Sequence, residues 1–251
     1  MMSMTKCMRS SAAARARIPW GPAAMLCFLA PLAAAQAPVA TTTAERPERD
    51  GPDLTGVYQL VPDDAILPGG LRNAGSPAEI ALTPEAQAVA QASDPLDDVA
   101  KLCMPVGPFR MMAWEDNKID VYRSPGRITM LFENYFLGHM RTFYLDRPHT
   151  PGEPLWVGDS IGHWDGDTLV VETNRFNEYT WLNDAGAPHS EELTLTEQYR
   201  LVGGGQYLEL RMTAEDPQVL RAPYTYTRYY QRVDSEIRED ICQEDLATVQ
   251  E

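Results

Sequence analysis

The run GHWDGDTLVVETNRF, Gly162 to Phe176, constrains the fold more than any other stretch of the chain. Ile161 and His163 lead into Asp165-Gly166, and Leu169, Val171 and Thr173 alternate away from it. A period of two sends alternate side chains of an extended strand to opposite faces. Asp-Gly between two such stretches predicts a hairpin with a type I′ turn, because both central residues then need positive φ and Asp and Gly tolerate it. Asp165-Gly166-Asp167 has a second reading, as the start of a carboxylate cage for a hard cation. A calcium loop wants further oxygen ligands at regular spacing, whereas Asp167 is followed by Thr, Leu, Val and Val. The hairpin is preferred, and no metal or other cofactor is expected.

The rest of the chain beyond Arg110 repeats this pattern of short apolar stretches separated by turn residues. Strands are predicted at Lys118 to Tyr122 and Arg127 to Glu133, turned at Ser124-Pro125-Gly126, and at His139 to Leu145 before a Pro-rich segment. Glu192 to Leu201 and Gln206 to Thr213 form a further hairpin through Gly203-Gly204-Gly205, and Tyr224 to Val233 with Glu236 to Cys242 form a third, turned at Asp234-Ser235. With Leu54 to Leu60 this makes about ten strands, each beside its sequence neighbour, a meander that closes on itself. Upstream, Thr83 as N-cap and Pro84 at the first helical position predict a helix over 84–92, and a second short helical turn is expected over 96–102. The expected fold is therefore all-β, an antiparallel up-and-down barrel of lipocalin or calycin type, with one or two short helices near its N-terminus.

Residues 1–35 read as a secretory signal peptide: Lys6, Arg9, Arg15 and Arg17 without an acid, an apolar core from about Ala23 to Leu32, then Ala33 and Ala35 before Gln36. That core is too short for a membrane span, which needs roughly 20 residues. Gln36 to Pro52 is a flexible tether, and 53–251 a single domain. Losing four basic residues with the signal takes the formal charge from −15 to −19. So acidic a surface argues against nucleic acid and anionic membrane as partners. The expected location is periplasmic or secreted. In that oxidising setting Cys103 and Cys242 suggest one disulfide, worth about 4 to 5 kcal/mol by loop entropy, with two buried free thiols as the alternative.

Pro52-Asp53-Leu54-Thr55-Gly56-Val57-Tyr58, Gly162-His163-Trp164-Asp165-Gly166-Asp167-Thr168-Leu169-Val170-Val171, Thr180-Trp181-Leu182-Asn183 and Pro188-His189-Ser190-Glu191 together resemble a widespread family of secreted bacterial proteins with a PDLSGVW start and a GxWxGDTLVV…TWLD…PHS core. The resemblance covers most of the mature chain and implies a lipocalin-like or nitrobindin-like barrel, with no general activity attached. Tyr58 stands where that family has Trp. Asn183 stands where it has Asp, which puts a catalytic carboxylate at that position in doubt.

Ionisable groups flanked at i−2 and i+2 by apolar residues are predicted to point inward, and burying them unpartnered costs several kcal/mol. Glu197 lies among Leu193, Leu195, Tyr199 and Leu201; Glu239 lies between Ile237 and Ile241; Arg141 shares a face with Phe143 and Leu145. Two carboxylates and a guanidinium meeting in one lumen make either a proton-transfer site or a structural ion-pair network. The loop from Thr180 to Ser190 adds His189 as a general base oriented by Asp184, or as a group bonded only within its loop. Trp181, Tyr224, Tyr226 and Phe132 are candidates for lining an apolar pocket. The leading expectation is cofactor-free acid/base chemistry of lyase, isomerase or cyclase type on a small hydrophobic or aromatic molecule. Glu197 or Glu239 acts as base, Arg141 stabilises charge and His189 assists. The rival readings are a non-catalytic carrier of such molecules and a structural envelope protein.

Overall fold

The computed structural model describes residues 51–114, 118–133, 140–145 and 147–238. Nine strands close into one barrel: β1 (Gly56–Leu60), β2 (Lys118–Ser124), β3 (Arg127–Phe132), β4 (Met140–Leu145), β5 (Asp159–Asp165), β6 (Thr168–Asn174), β7 (Thr194–Val202), β8 (Tyr207–Glu215) and β9 (Tyr224–Arg232). Each strand pairs with its neighbour in sequence, and β9 returns to β1 through Leu60 opposite Tyr230. Closure removes the exposed sheet edges that otherwise invite aggregation. The barrel is all-β as expected, with one departure from pure up-and-down order. β4 and β5 run parallel, Tyr144 opposite Ile161 and Leu145 opposite Gly162. Residues 147–158 fold back along the sheet before β5 begins, held by Asp159. That carboxylate accepts from Arg147 Nη2 at 2.6 Å and from the Thr150 amide at 2.9 Å.

The β5–β6 hairpin forms where the sequence puts it, with Asp165 opposite Thr168. Its turn is centred one residue later than Asp-Gly suggests, on Gly166 and Asp167. Gly166 has φ of 61° while Asp167 does not enter positive φ. Glycine at the first central position is the requirement of a type II′ turn, so II′ replaces I′. Alternation holds on both limbs. Leu169, Val171 and Thr173 are buried, whereas His163 is exposed.

Among the described residues the predicted third hairpin is not formed. Glu236 to Arg238 is irregular, with the Arg238 amide donating to Glu133 Oε1 at 2.8 Å, and β9 already has both its neighbours, β8 and β1. Residues 239–242 lie outside the described residues, as does His139.

The N-terminal helix α1 spans Pro84–Ala92, with Thr83 Oγ1 accepting from the Ala86 amide at 3.3 Å. Two 3-10 turns, Pro95–Asp97 and Val99–Leu102, take the place of the second helical turn. Absent from the expectations is α2 (Pro108–Met111), a single buried turn entered through Gly107 at φ 85°. It packs on the inner face of β9: Tyr226 donates to the Phe109 carbonyl at 2.7 Å and Tyr230 to the Met112 carbonyl at 2.6 Å. The segment Val106–Met112 thus lies against β9, with Val106, Phe109, Met111 and Met112 buried in the core. Tyr58, Met130, Phe143, Leu208, Met212 and Tyr230 have no water-accessible surface, at 0% each.

Candidate functional site

Strand parity brings Arg141 and Glu197 together inside the barrel. β4 carries Arg141 inward opposite Met130 of β3, and β7 carries Glu197 inward between Val171 of β6 and Met212 of β8. The guanidinium grips the carboxylate with two bonds, Nη2 to Oε1 at 2.6 Å and Nη1 to Oε2 at 2.9 Å. Thr173 Oγ1 donates to Oε1 at 3.3 Å, and the Tyr199 hydroxyl donates to Oε2. Phe143 lies under the cation at 4.9 Å, and Ser160 adds its hydroxyl at 3.4 Å. Burial pulls the Arg141 pKa down, but the Glu197 charge and its hydrogen bonds outweigh it and leave Arg141 above its ordinary value. Burial, then the Glu197 charge, push the Tyr199 phenol well above its usual range.

This geometry is that of a satisfied ion pair. A carboxylate offers about four lone-pair directions, and four donors occupy them. With Arg141 at 1% exposure and Glu197 at 0%, no substrate proton reaches Glu197 without dismantling the pair. The expected second carboxylate, Glu239, lies outside the described residues.

His189 is buried, and Asp184 does not orient it. Its Nε2 lies 2.8 Å from Thr180 Oγ1 and its Nδ1 lies 3.1 Å from the Ser190 carbonyl. The carbonyl can only accept, so Nδ1 carries the proton and Nε2 accepts from Thr180. Both ring nitrogens are engaged within the loop, and Asp184 is not among their partners. Desolvation lowers the His189 pKa below 6.5 despite the raising effect of Ser190 and Asp216. The unfolded chain therefore binds a proton here that the folded chain refuses, and stability falls as pH drops below about 6.5. Urea unfolding of wild type and His189→Gln between pH 7.5 and 5 is expected to show a smaller acid loss in the variant.

The remaining predicted residues scatter. Phe132 and Tyr226 are core, at 3% and 1% exposure. Tyr224 is half-buried, accepting from the Ser76 amide and donating to Glu79, both at 3.1 Å. Trp181 is half-buried in its loop. Cys103 is disulfide-bonded, while Cys242 lies outside the described residues.

Asp184 leads elsewhere. Its Oδ1 accepts from Arg110 Nε at 2.5 Å, and Asp98 takes the other end of the same guanidinium at 3.0 and 2.6 Å. Arg110 is 5% exposed and lies 4.9 Å over the Trp114 ring. Around them opens a cleft of about 330 Å³, walled by Ser76, Pro77 and Ala78, by Arg110, Ala113 and Trp114, and by Asn183, Asp184 and Ala185. Three segments distant in sequence meet here, and of their residues only Asn183 and Asp184 are marked by the sequence. The available signal for Arg110 is a lone cation in the apolar run Pro108 to Trp114. Among the described residues no group of three or more His, Cys, Asp or Glu is placed to hold a metal ion, and no helix is long and apolar enough to cross a membrane.

No family model and no curated protein matches the chain. Among solved structures it is similar to secretory abundant heat soluble protein 4 of Ramazzottius varieornatus, at 13% identity and TM-score 0.35 over 72% of this chain and 94% of that one. It is also similar to zebrafish ileal bile acid-binding protein complexed with cholic acid, at 9% identity and TM-score 0.33 over 72% and 98%. At such scores the alignments say nothing of what this chain binds. The closed barrel rests on the strand pairing itself, and the motif resemblance stands as a resemblance.

Proposed function

We propose that the protein is an exported, non-catalytic carrier of small hydrophobic molecules, and that it holds them in the cleft beside Arg110 rather than in the barrel lumen. The cleft carries this reading. It combines apolar walls from Pro77, Ala78, Ala113, Trp114 and Ala185 with a few convergent polar groups, the usual make-up of a small-molecule site. Its 330 Å³ is near the lower end of the range of about 300 to 1,000 Å³ for such sites, so the ligand is small. Against the enzymatic reading stand the two groups assigned to proton transfer, since Glu197 and His189 have every acceptor and donor position engaged by protein.

The test is a thermal-shift screen with small aromatic, terpenoid and steroid compounds. A ligand at 100 times its Kd stabilises by about 2.7 kcal/mol, a rise in Tm of about 5 to 10 °C for a domain of this size. Ala185 is exposed on the cleft wall, so Ala185→Trp fills the cleft without disturbing the core. That variant is expected to melt at the wild-type temperature and to lose the ligand response. A response that survives the substitution rules out the cleft.

A further inference from the structure

Resting on the cleft reading above, we infer that the preferred occupant is cationic: a small molecule with an ammonium group on an aromatic or aliphatic body, its charge set against Asp184. Asp98 neutralises Arg110 end-on through Nη1 and Nη2 at 3.0 and 2.6 Å. Asp184 is therefore the second carboxylate on one guanidinium, and the three groups carry a net charge of −1. A ligand cation balances that surplus without moving any protein group. A ligand anion must instead expel Asp184 from Arg110, or sit beside it and raise the local charge to −2.

Asp184 is built to be the anchor. Its side chain is 71% exposed, so it keeps most of its hydration and costs little to maintain as a free carboxylate. Yet Oδ1 is pinned by Arg110 Nε at 2.5 Å, and Arg110 in turn is fixed by Asp98 and by the Trp114 ring. Oδ2 has no protein partner among the described residues. The acceptor is therefore pre-organised, which spares an incoming donor the cost of ordering it. The body of the ligand lies against Pro77, Ala78, Ala113 and Trp114. A chain with formal charge −15 also gathers cations toward its surface and slows anions.

The experiment titrates wild type and Asp184→Asn, at low ionic strength, with phenethylamine, 2-phenylethanol and 3-phenylpropionate by isothermal calorimetry. Wild type is expected to bind the amine about two- to fivefold more tightly than the alcohol, the factor an ion pair with an exposed carboxylate supplies, and to bind the carboxylate most weakly. Asp184→Asn keeps a carbonyl oxygen for Arg110 Nε, so it is expected to bind the alcohol as wild type does while amine and alcohol become equal. Equal affinities in wild type, or preference for the carboxylate, overturn the cationic ligand and leave the cleft as the site. If none of the three binds wild type, the cleft reading itself falls and takes this inference with it.

Discussion

Arg141→Met is expected to destabilise the barrel by about 3 to 5 kcal/mol, the cost of leaving one member of a buried ion pair uncompensated. For a domain of this size that is a fall in Tm of about 6 to 20 °C. The reason lies in what Glu197 keeps: the hydroxyls of Tyr199 and Thr173, but no positive charge. Glu197→Gln alone strands the guanidinium instead, with Ser160 and Thr173 as neutral partners at 3.4 Å. The pair Arg141→Met with Glu197→Gln removes both charges and preserves an acceptor for Tyr199, so it is expected to recover most of the loss. Urea unfolding of the four proteins gives the coupling energy directly. A single-variant cost below about 1 kcal/mol belongs to an exposed pair and contradicts this burial. The cycle also separates structure from chemistry, because the double variant retains cleft binding if the pair only holds the barrel together.

The two members of that pair were legible because strand parity is local. Leu195, Glu197 and Tyr199 share a face whatever lies opposite, and so do Arg141, Phe143 and Leu145. Their meeting required only that both strands enclose the same interior. The hairpin at Asp165 was legible for the same reason, though the register of its turn was not. Asp-Gly and Gly-Asp differ by one residue, and the pairing of Asp165 with Thr168 decides between them. The third hairpin failed at a long-range contact. Tyr230 finds Leu60 far away in sequence and takes the neighbour that Glu236 to Cys242 was expected to be. The cleft is less legible still, because Asp98, Arg110 and Asp184 lie in 3-10, single-turn and loop segments without any period. Four residues of α2 are too few to display a helical repeat. Asp184 and His189 share a loop, which suggested a couple, but proximity in sequence does not fix direction. One side chain turns to Arg110 and the other to Thr180.

Phe109→Ala tests the packing of α2 against β9. Phe109 is 2% exposed, and its ring packs on Tyr226 with centroids 5.1 Å apart. Truncating a buried Phe costs about 3 to 5 kcal/mol, from lost transfer energy and from the void left behind. The hydrogen bond from Tyr226 runs to the Phe109 backbone carbonyl, so it survives the substitution and holds α2 in place. The void is then bounded by a fixed turn on one side and the β9 aromatics on the other. Apolar voids of this kind stay dry and take up small apolar molecules. Benzene is accordingly expected to raise the Tm of Phe109→Ala and to leave wild type unchanged, and Ala185→Trp added to the variant is expected not to alter that response. Collapse of the segment onto the strands would instead give a smaller stability loss and no benzene effect. Phe109, Met111 and Met112 are buried in the core, whereas Arg110 from the same turn meets Asp184 at the cleft proposed to hold the ligand.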